Sequence, residues 1–327
     1  MSGHDMPADV TYPKCGADLY GLLQWCGSVP WAIANTYNKR LVRSNAMTDV
    51  KAQEKFVTVN NLRLRYFDWG SKGMPPMVCL HGHTGQAHIW DEFAELMSSQ
   101  YHVYALDQRG HGGSQWSSNG YDRDRFVEDL SDFLDTLSLG RVTLVGLSMG
   151  GWNSLLYTPS HPERVERIIL VDIGPEPNEQ SRQGRSNRLP TPMEFGNMEQ
   201  AFAWARQTNP WVTDSRLRRD LADRMRQQDN GGWTWKADPV LYTTPLSDME
   251  DPESIARYWR SLEAITCPIL EVRGKESPTV SDETLERMAR ANPRFRHIDV
   301  EGAGHVVTVD KPQEFIAATS SFLGLMV

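Results

Sequence analysis

Near the middle of the chain, Gly146-Leu147-Ser148-Met149-Gly150 sets a serine between two glycines. The apolar run Val142-Thr143-Leu144-Val145 precedes it, and a segment with helical spacing follows through Leu156. A G-x-S-x-G element between a buried strand and a helix is the pattern of a nucleophile elbow. The flanking glycines are needed because backbone segments approach closely there and a Cβ would clash. The turn lifts the Ser148 hydroxyl clear of the strand, at a helix N-terminus whose positive dipole end favours developing negative charge. As a bare pattern the element is weak, since any glycine-rich turn could produce it; the strand before it and the helix after it give it force. A serine hydroxyl needs a neighbouring base to take its proton. Among nine histidines, His305 is the candidate: Gly302-Ala303-Gly304-His305 is a pliable loop, and it follows Ser148 in the chain. His81, His83 and His111 are competitors, with His81 and His111 read as structural. Acyl transfer also needs donors aimed at a developing oxyanion. The backbone N–H of Met149, just after the serine, and that of His83, in the loop after Met77-Val78-Cys79-Leu80, are the expected pair.

These residues need a scaffold. Phe56 to Phe67 alternates apolar and polar residues about Asn60-Asn61 and reads as a hairpin. Short apolar runs follow at Met77–Leu80, Val103–Leu106, Val142–Val145, Ile168–Val171 and Ile269–Val272, and most of them end in a glycine-bearing loop. Helical spacing lies between them, as in Arg125 to Leu137. Strands alternating with helices predict an α/β fold: a mainly parallel central sheet with helices on both faces. From Gly174 to about Arg260 the strand rhythm stops and charged helical sequence takes over, read as a helical cap inserted into the body. The expected division is a helical arm over 1–55, an α/β core over 56–173 and 261–327, and a cap over 174–260.

Composition narrows the function classes. The 327 residues, 39% of them apolar, can bury a large core, and the net charge of −8 is interspersed, which argues against nucleic acid as a partner. Cys15, Cys26, Cys79 and Cys267 show no metal-ligand spacing and read as free thiols of a reducing cytoplasm. No metal or other cofactor is expected. The start of the chain lacks the pattern of a cleaved signal peptide. Leu19 to Tyr37 is broken by Gln24, Pro30 and Asn35, so an arm packing on the body or on a partner subunit is expected rather than a membrane span, which leaves a homo-oligomer open.

Together, Leu80-His81-Gly82-His83, Asp107-Gln108-Arg109-Gly110-His111-Gly112, Gly146–Gly151 and Gly302–His305, in that order, resemble the α/β-hydrolase superfamily, and its capped, esterase-like members more closely, over about Phe56 to Leu323. The resemblance implies an acid to orient His305. Asp172, in Val171-Asp172-Ile173-Gly174-Pro175, resembles the acid of relatives that place it after that strand, and is favoured. Glu276 is the alternative, near the superfamily's more common acid position; its neighbours Ser277 and Pro278 lie at least as close and cannot serve. Asp107 is read as a brace for the Arg109 loop. Trp211, Trp233 and Trp235 are the expected substrate-binding aromatics, which implies a bulky or hydrophobic small-molecule ester cleaved through an acyl-enzyme. A lactonase, amidase or carbon-carbon bond hydrolase would use the same residues, and a non-catalytic binding protein or a membrane-surface lipase could be built on the same fold.

Overall fold

The computed structural model describes residues 51–186, 190–244 and 249–325. The expected helical arm, with its Leu19–Tyr37 segment and two of the cysteines, lies outside them except for its last residues. Those residues already enter the sheet, because β1 begins at Gln53. In the hairpin of β1 (Gln53–Val59) and β2 (Leu62–Trp69), Asn60 and Asn61 have φ of 47° and 63°. Two successive positive φ values give the turn whose twist matches the strands, and Asn tolerates them well.

β3 (Pro76–Leu80), β4 (His102–Leu106), β5 (Val142–Leu147) and β6 (Val165–Val171) follow, then β10 (Ile269–Gly274) and β11 (Phe295–Val300) late in the chain. Among the described residues they form an eight-stranded sheet in the order β1-β2-β4-β3-β5-β6-β10-β11. β1 with β2 and β2 with β4 pair antiparallel; every other pairing is parallel. The inner strands are continuously apolar because both faces are covered. On one face lie Trp90, Phe93, Met97 and Phe315; on the other Phe133, Trp152, Tyr157 and Leu262. Sequence reading names no strand for β11. This edge strand carries exposed Arg296, His297 and Ile298, so the apolar run that marks its neighbours is missing.

The inserted segment is not purely helical. Besides the helices Met198–Thr208 and Asp214–Arg224 it holds a three-stranded antiparallel sheet, β7 (Glu194–Phe195), β8 (Met225–Gln227) and β9 (Trp233–Trp235), with β9 central. Each of these strands, of two or three residues, is too short to show alternation. The helix Pro252–Ala264 crosses the expected boundary at residue 260, and its Tyr258, Trp259 and Leu262 pack on the sheet's helical layer, Tyr258 beside Trp152 at 6.0 Å between rings. It therefore belongs to the body. No helix among the described residues is long and apolar enough to cross a membrane.

Candidate active site

Ser148 links β5 to the helix Met149–Tyr157 with φ 50° and ψ −116°. A non-glycine residue held there is strained by roughly 1–3 kcal/mol and persists only when its surroundings fix it. They do so here. Ser148 N–H donates to Val171 O at 3.1 Å, and the two elbow glycines are sterically required: a Cβ on Gly150 would lie 2.2 Å from Leu80 O, and one on Gly146 2.4 Å from Gly150 O. Met149 is the first residue of its helix, so its N–H has no intrahelical acceptor.

The strand order brings the other groups alongside. β5, β6, β10 and β11 are successive neighbours, and Ser148, Asp172, Ser277 and His305 lie beyond their respective C-terminal ends. Asp172, wholly buried with φ 51°, places Oδ2 2.6 Å from His305 Nδ1. The same oxygen accepts from Ser277 Oγ at 2.5 Å, and Oδ1 accepts from Gly274 N–H at 3.3 Å. Thr279 Oγ1 stands 3.2 Å from His305 Nδ1 and 3.0 Å from Ser277 Oγ. An ionised carboxylate only accepts, so Nδ1 carries the hydrogen and Nε2 keeps its lone pair. The alternative acid, Glu276, is exposed after β10, with its backbone N–H on Ala303 O at 3.0 Å. Among the described residues the carboxylate bonded to His305 is that of Asp172. Ser277, which sequence reading set aside as unable to serve as the acid, instead donates to the acid on the neighbouring strand.

Two further carboxyls, neither legible as site residues in the sequence, sit behind this pair. Glu271 is fully buried on β10 and accepts from Ile173 N–H at 3.0 Å. Burial, reinforced by the nearby Asp172, holds its carboxyl well above the ordinary range. Asp310 accepts from Gly304 N–H at 2.9 Å, and burial pushes it up to about 6.

The loop after β3 approaches the serine: a Cβ on Gly82 would lie 3.2 Å from Ser148 Cβ. Its shape is set by two buried histidines. His111 Nε2 accepts from Thr84 N–H at 3.0 Å while Nδ1–H donates to Arg109 O at 2.7 Å. His81 Nε2 accepts from Gln108 N–H at 3.0 Å while Nδ1–H donates to Gly82 O at 2.7 Å. Burial holds both imidazoles below their ordinary pKa, and the neutral form is the one able to accept. Thr84 has φ 56°, a strained position that these bonds fix. His83 Nε2 reaches out to Leu241 O in the insertion at 2.7 Å. Asp107 bonds the Arg109 loop through Gly113 N–H at 2.8 Å, pairs with Arg65 at 2.6 Å and accepts from Ala87 N–H, whereas the Arg109 side chain itself forks onto Asp129 at 2.6 and 2.7 Å.

The three tryptophans occupy different places. Trp235 is 1% exposed and packs inside the insertion against Phe195, Trp204 and Tyr242, its indole N–H on Pro192 O. Trp233 is half-buried, and Trp211 is 44% exposed. A Cβ on Gly304 would lie 2.6 Å from Trp211 Cδ1, so Trp211 rests on the loop that carries His305. Among the described residues no cluster of three or more His, Cys, Asp or Glu could hold a metal ion.

Comparison with known proteins agrees with this fold. The profile of the alpha/beta hydrolase fold family matches residues 75–312. The 3-hydroxybutyrate-oligomer hydrolase of Cupriavidus necator is 27% identical over 278 residues, 80% of this chain and 93% of the relative. The esterase Rv0045c of Mycobacterium tuberculosis is 28% identical over 256 residues, 76% of this chain and 82% of the relative. The crystal structure of an E-2-(acetamidomethylene)succinate hydrolase superposes with a TM-score of 0.72 at 22% identity, covering 84% of this chain and all of the other, a likeness of fold.

Proposed function

The chain belongs to the α/β-hydrolase family, and we propose that it is a serine hydrolase of carboxylic esters. The observation that carries this reading is the 2.6 Å bond from His305 Nδ1 to the buried Asp172, beside a serine held at positive φ on a helix N-terminus. Ser148 Oγ attacks the ester carbonyl as His305 Nε2 takes its proton, and Asp172 holds the imidazole and offsets the charge it gains. The oxyanion is received by the N–H groups of Met149 and His83, fixed before reaction by the helix start and by the histidine-braced loop. His305 then returns the proton to the departing alcohol, and water, activated by the same imidazole, releases the acid from Ser148. Every proton and electron pair is carried by these groups, so the sequence of steps calls for no cofactor.

Similarity to an esterase and to a hydrolase of a hydroxy-acid oligomer favours an ester as the bond cleaved. That oligomer is built from a hydroxy acid, which makes a substrate bearing its own carboxylate a natural candidate. The accessible Trp211 and half-buried Trp233 supply apolar surface for the rest of the molecule.

The test is hydrolysis of short- to medium-chain p-nitrophenyl esters by the wild type and by Ser148→Ala at matched folded concentration. Turnover lost with the serine supports the reading. Equal turnover by both proteins removes Ser148 as nucleophile, and a wild type inert toward every ester refutes ester hydrolysis and turns the search to lactones, amides and diketones.

A further inference from the structure

We propose that Arg224 is the cation of an anionic subsite, so that the substrate carries a carboxylate on the portion lying between the insertion and the Gly82–Thr84 loop. This rests on the hydrolase reading and names the substrate class for it. Arg224 ends the helix Asp214–Arg224 and reaches across to the body, where Nη2 donates to Thr84 O at 3.2 Å. Thr84 is two residues from Gly82, the residue that abuts Ser148, so the guanidinium bonds the same loop that approaches the serine. Nη1 donates to Asp220 Oδ2 at 3.2 Å, and the guanidinium carbon lies 5.1 Å from the centre of the Trp235 ring.

The charge balance at this site is incomplete. Arg218 of the insertion, by contrast, forks onto Glu199 at 2.6 and 2.9 Å. Arg224 meets its one nearby carboxylate through a single long contact, one helical turn away, and its Nε has no acceptor among the described residues. A guanidinium offers five donors in a planar fork suited to bidentate carboxylates, and this one is left with capacity. Its positive field still reaches the oxyanion loop, where it adds to burial in holding His81 and His111 neutral. Although it sits between two layers of protein, a quarter of the side chain, 25%, remains accessible. An aromatic wall from Trp235 and Tyr242 keeps local polarity low, which strengthens a charged hydrogen bond.

A mere strut between insertion and loop would also bond Thr84 O, so the test reads selectivity rather than activity. The kcat/KM values for 4-nitrophenyl hydrogen adipate and for 4-nitrophenyl hexanoate, which ends in methyl where the adipate carries its carboxylate, give a ratio for the full-length wild type, Arg224→Gln and Arg224→Lys. The expected result is a wild-type ratio favouring the acid ester, reduced roughly tenfold to a hundredfold in Arg224→Gln and less in Arg224→Lys. A wild type that prefers the hexanoate, or a ratio that stays within about twofold on substitution, overturns the proposal. If the variants do not fold, the wild type decides: inhibition of hexanoate ester hydrolysis by free adipate, weakening with salt and absent with 1,6-hexanediol, supports it, and no inhibition by adipate overturns it. If the wild type cleaves neither ester and Ser148 is not labelled by a fluorophosphonate, the hydrolase reading has failed. Arg224-dependent binding of adipate, measured by calorimetry, then upholds the subsite alone, and its absence sinks both.

Discussion

Replacing Asp172 by Asn tests the relay from carboxylate to imidazole with little disturbance of the fold. Asp172 sits at φ 51°, a region Asn tolerates as readily as Asp, and the Asn carbonyl can still accept from Ser277 Oγ or Gly274 N–H. What changes is the 2.6 Å contact to His305 Nδ1, where an amide N–H₂ now donates and forces the imidazole's hydrogen onto Nε2. On the proposed mechanism His305 then has no lone pair to take the serine's proton, and the expected fall in kcat is roughly 10⁴-fold, about 5 kcal/mol of transition-state stabilisation. Glu276→Gln, altering an exposed carboxylate, should stay within about twofold of wild type. The location of Ser277 supplies a sharper test. Its Oγ is 2.5 Å from Asp172 Oδ2, and Thr279 beside it is 3.2 Å from His305 Nδ1. In an Asp172→Ser background, Ser277→Asp would extend a carboxylate toward the position that Asp172 Oδ2 now occupies. Misplacement by about 1 Å costs on the order of 10²-fold, so about 10²-fold of the lost 10⁴ should return. The assay is steady-state ester hydrolysis of the four variants, with thermal unfolding to verify folding. Asp172→Asn with more than about a tenth of wild-type kcat, or a double variant no better than Asp172→Ser, would refute the reasoning.

Three further outcomes follow from the same geometry. Gly150→Ala would drive a Cβ to 2.2 Å from Leu80 O, backbone that cannot yield cheaply; it should cost about 3 kcal/mol or more, read as a melting temperature lowered by about 6 °C or as loss of soluble protein. Asp310 is raised from 3.8 to about 6, so between those pH values the folded chain holds a proton the unfolded chain has released, and the stability this group allows is greatest below about pH 4 and falls as pH rises through 6. Asp310→Asn keeps an acceptor for Gly304 N–H and should therefore gain up to about 3 kcal/mol over wild type at pH 7, less whatever solvent screens, with the gain vanishing near pH 4 in urea titrations. His111→Phe removes the acceptor for Thr84 N–H while keeping a ring of similar size; kcat should drop about tenfold or more as the oxyanion loop shifts, and an unchanged kcat would show that the loop is held by other means.

The elbow and the histidine loop were legible because their chemistry is local. A glycine on either side of Ser148, a buried strand before it and a helix after it impose one turn whatever surrounds them, and the alternating strands and helices impose the parallel sheet. The hairpin at Asn60-Asn61 is local in the same sense. Telling which carboxylate meets His305 required strand order. Asp172 and Glu276 both follow strands in the sequence, and only the adjacency of β6, β10 and β11 places the first against His305 and leaves the second in solvent. The same holds for Ser277, whose donation to Asp172 crosses 105 residues of chain, and for Arg224, which meets Thr84 across 140. The edge strand β11 and the small sheet of the insertion were illegible because exposure and brevity erase the apolar pattern. Trp235 could not be told from Trp211 by type, yet packing buries one in the insertion and sets the other on the His305 loop. Residue chemistry and short-range sterics belong to the sequence, whereas partners, burial and the charge left uncompensated at a site arise from segments distant in the chain and exist only once the sheet has closed its order.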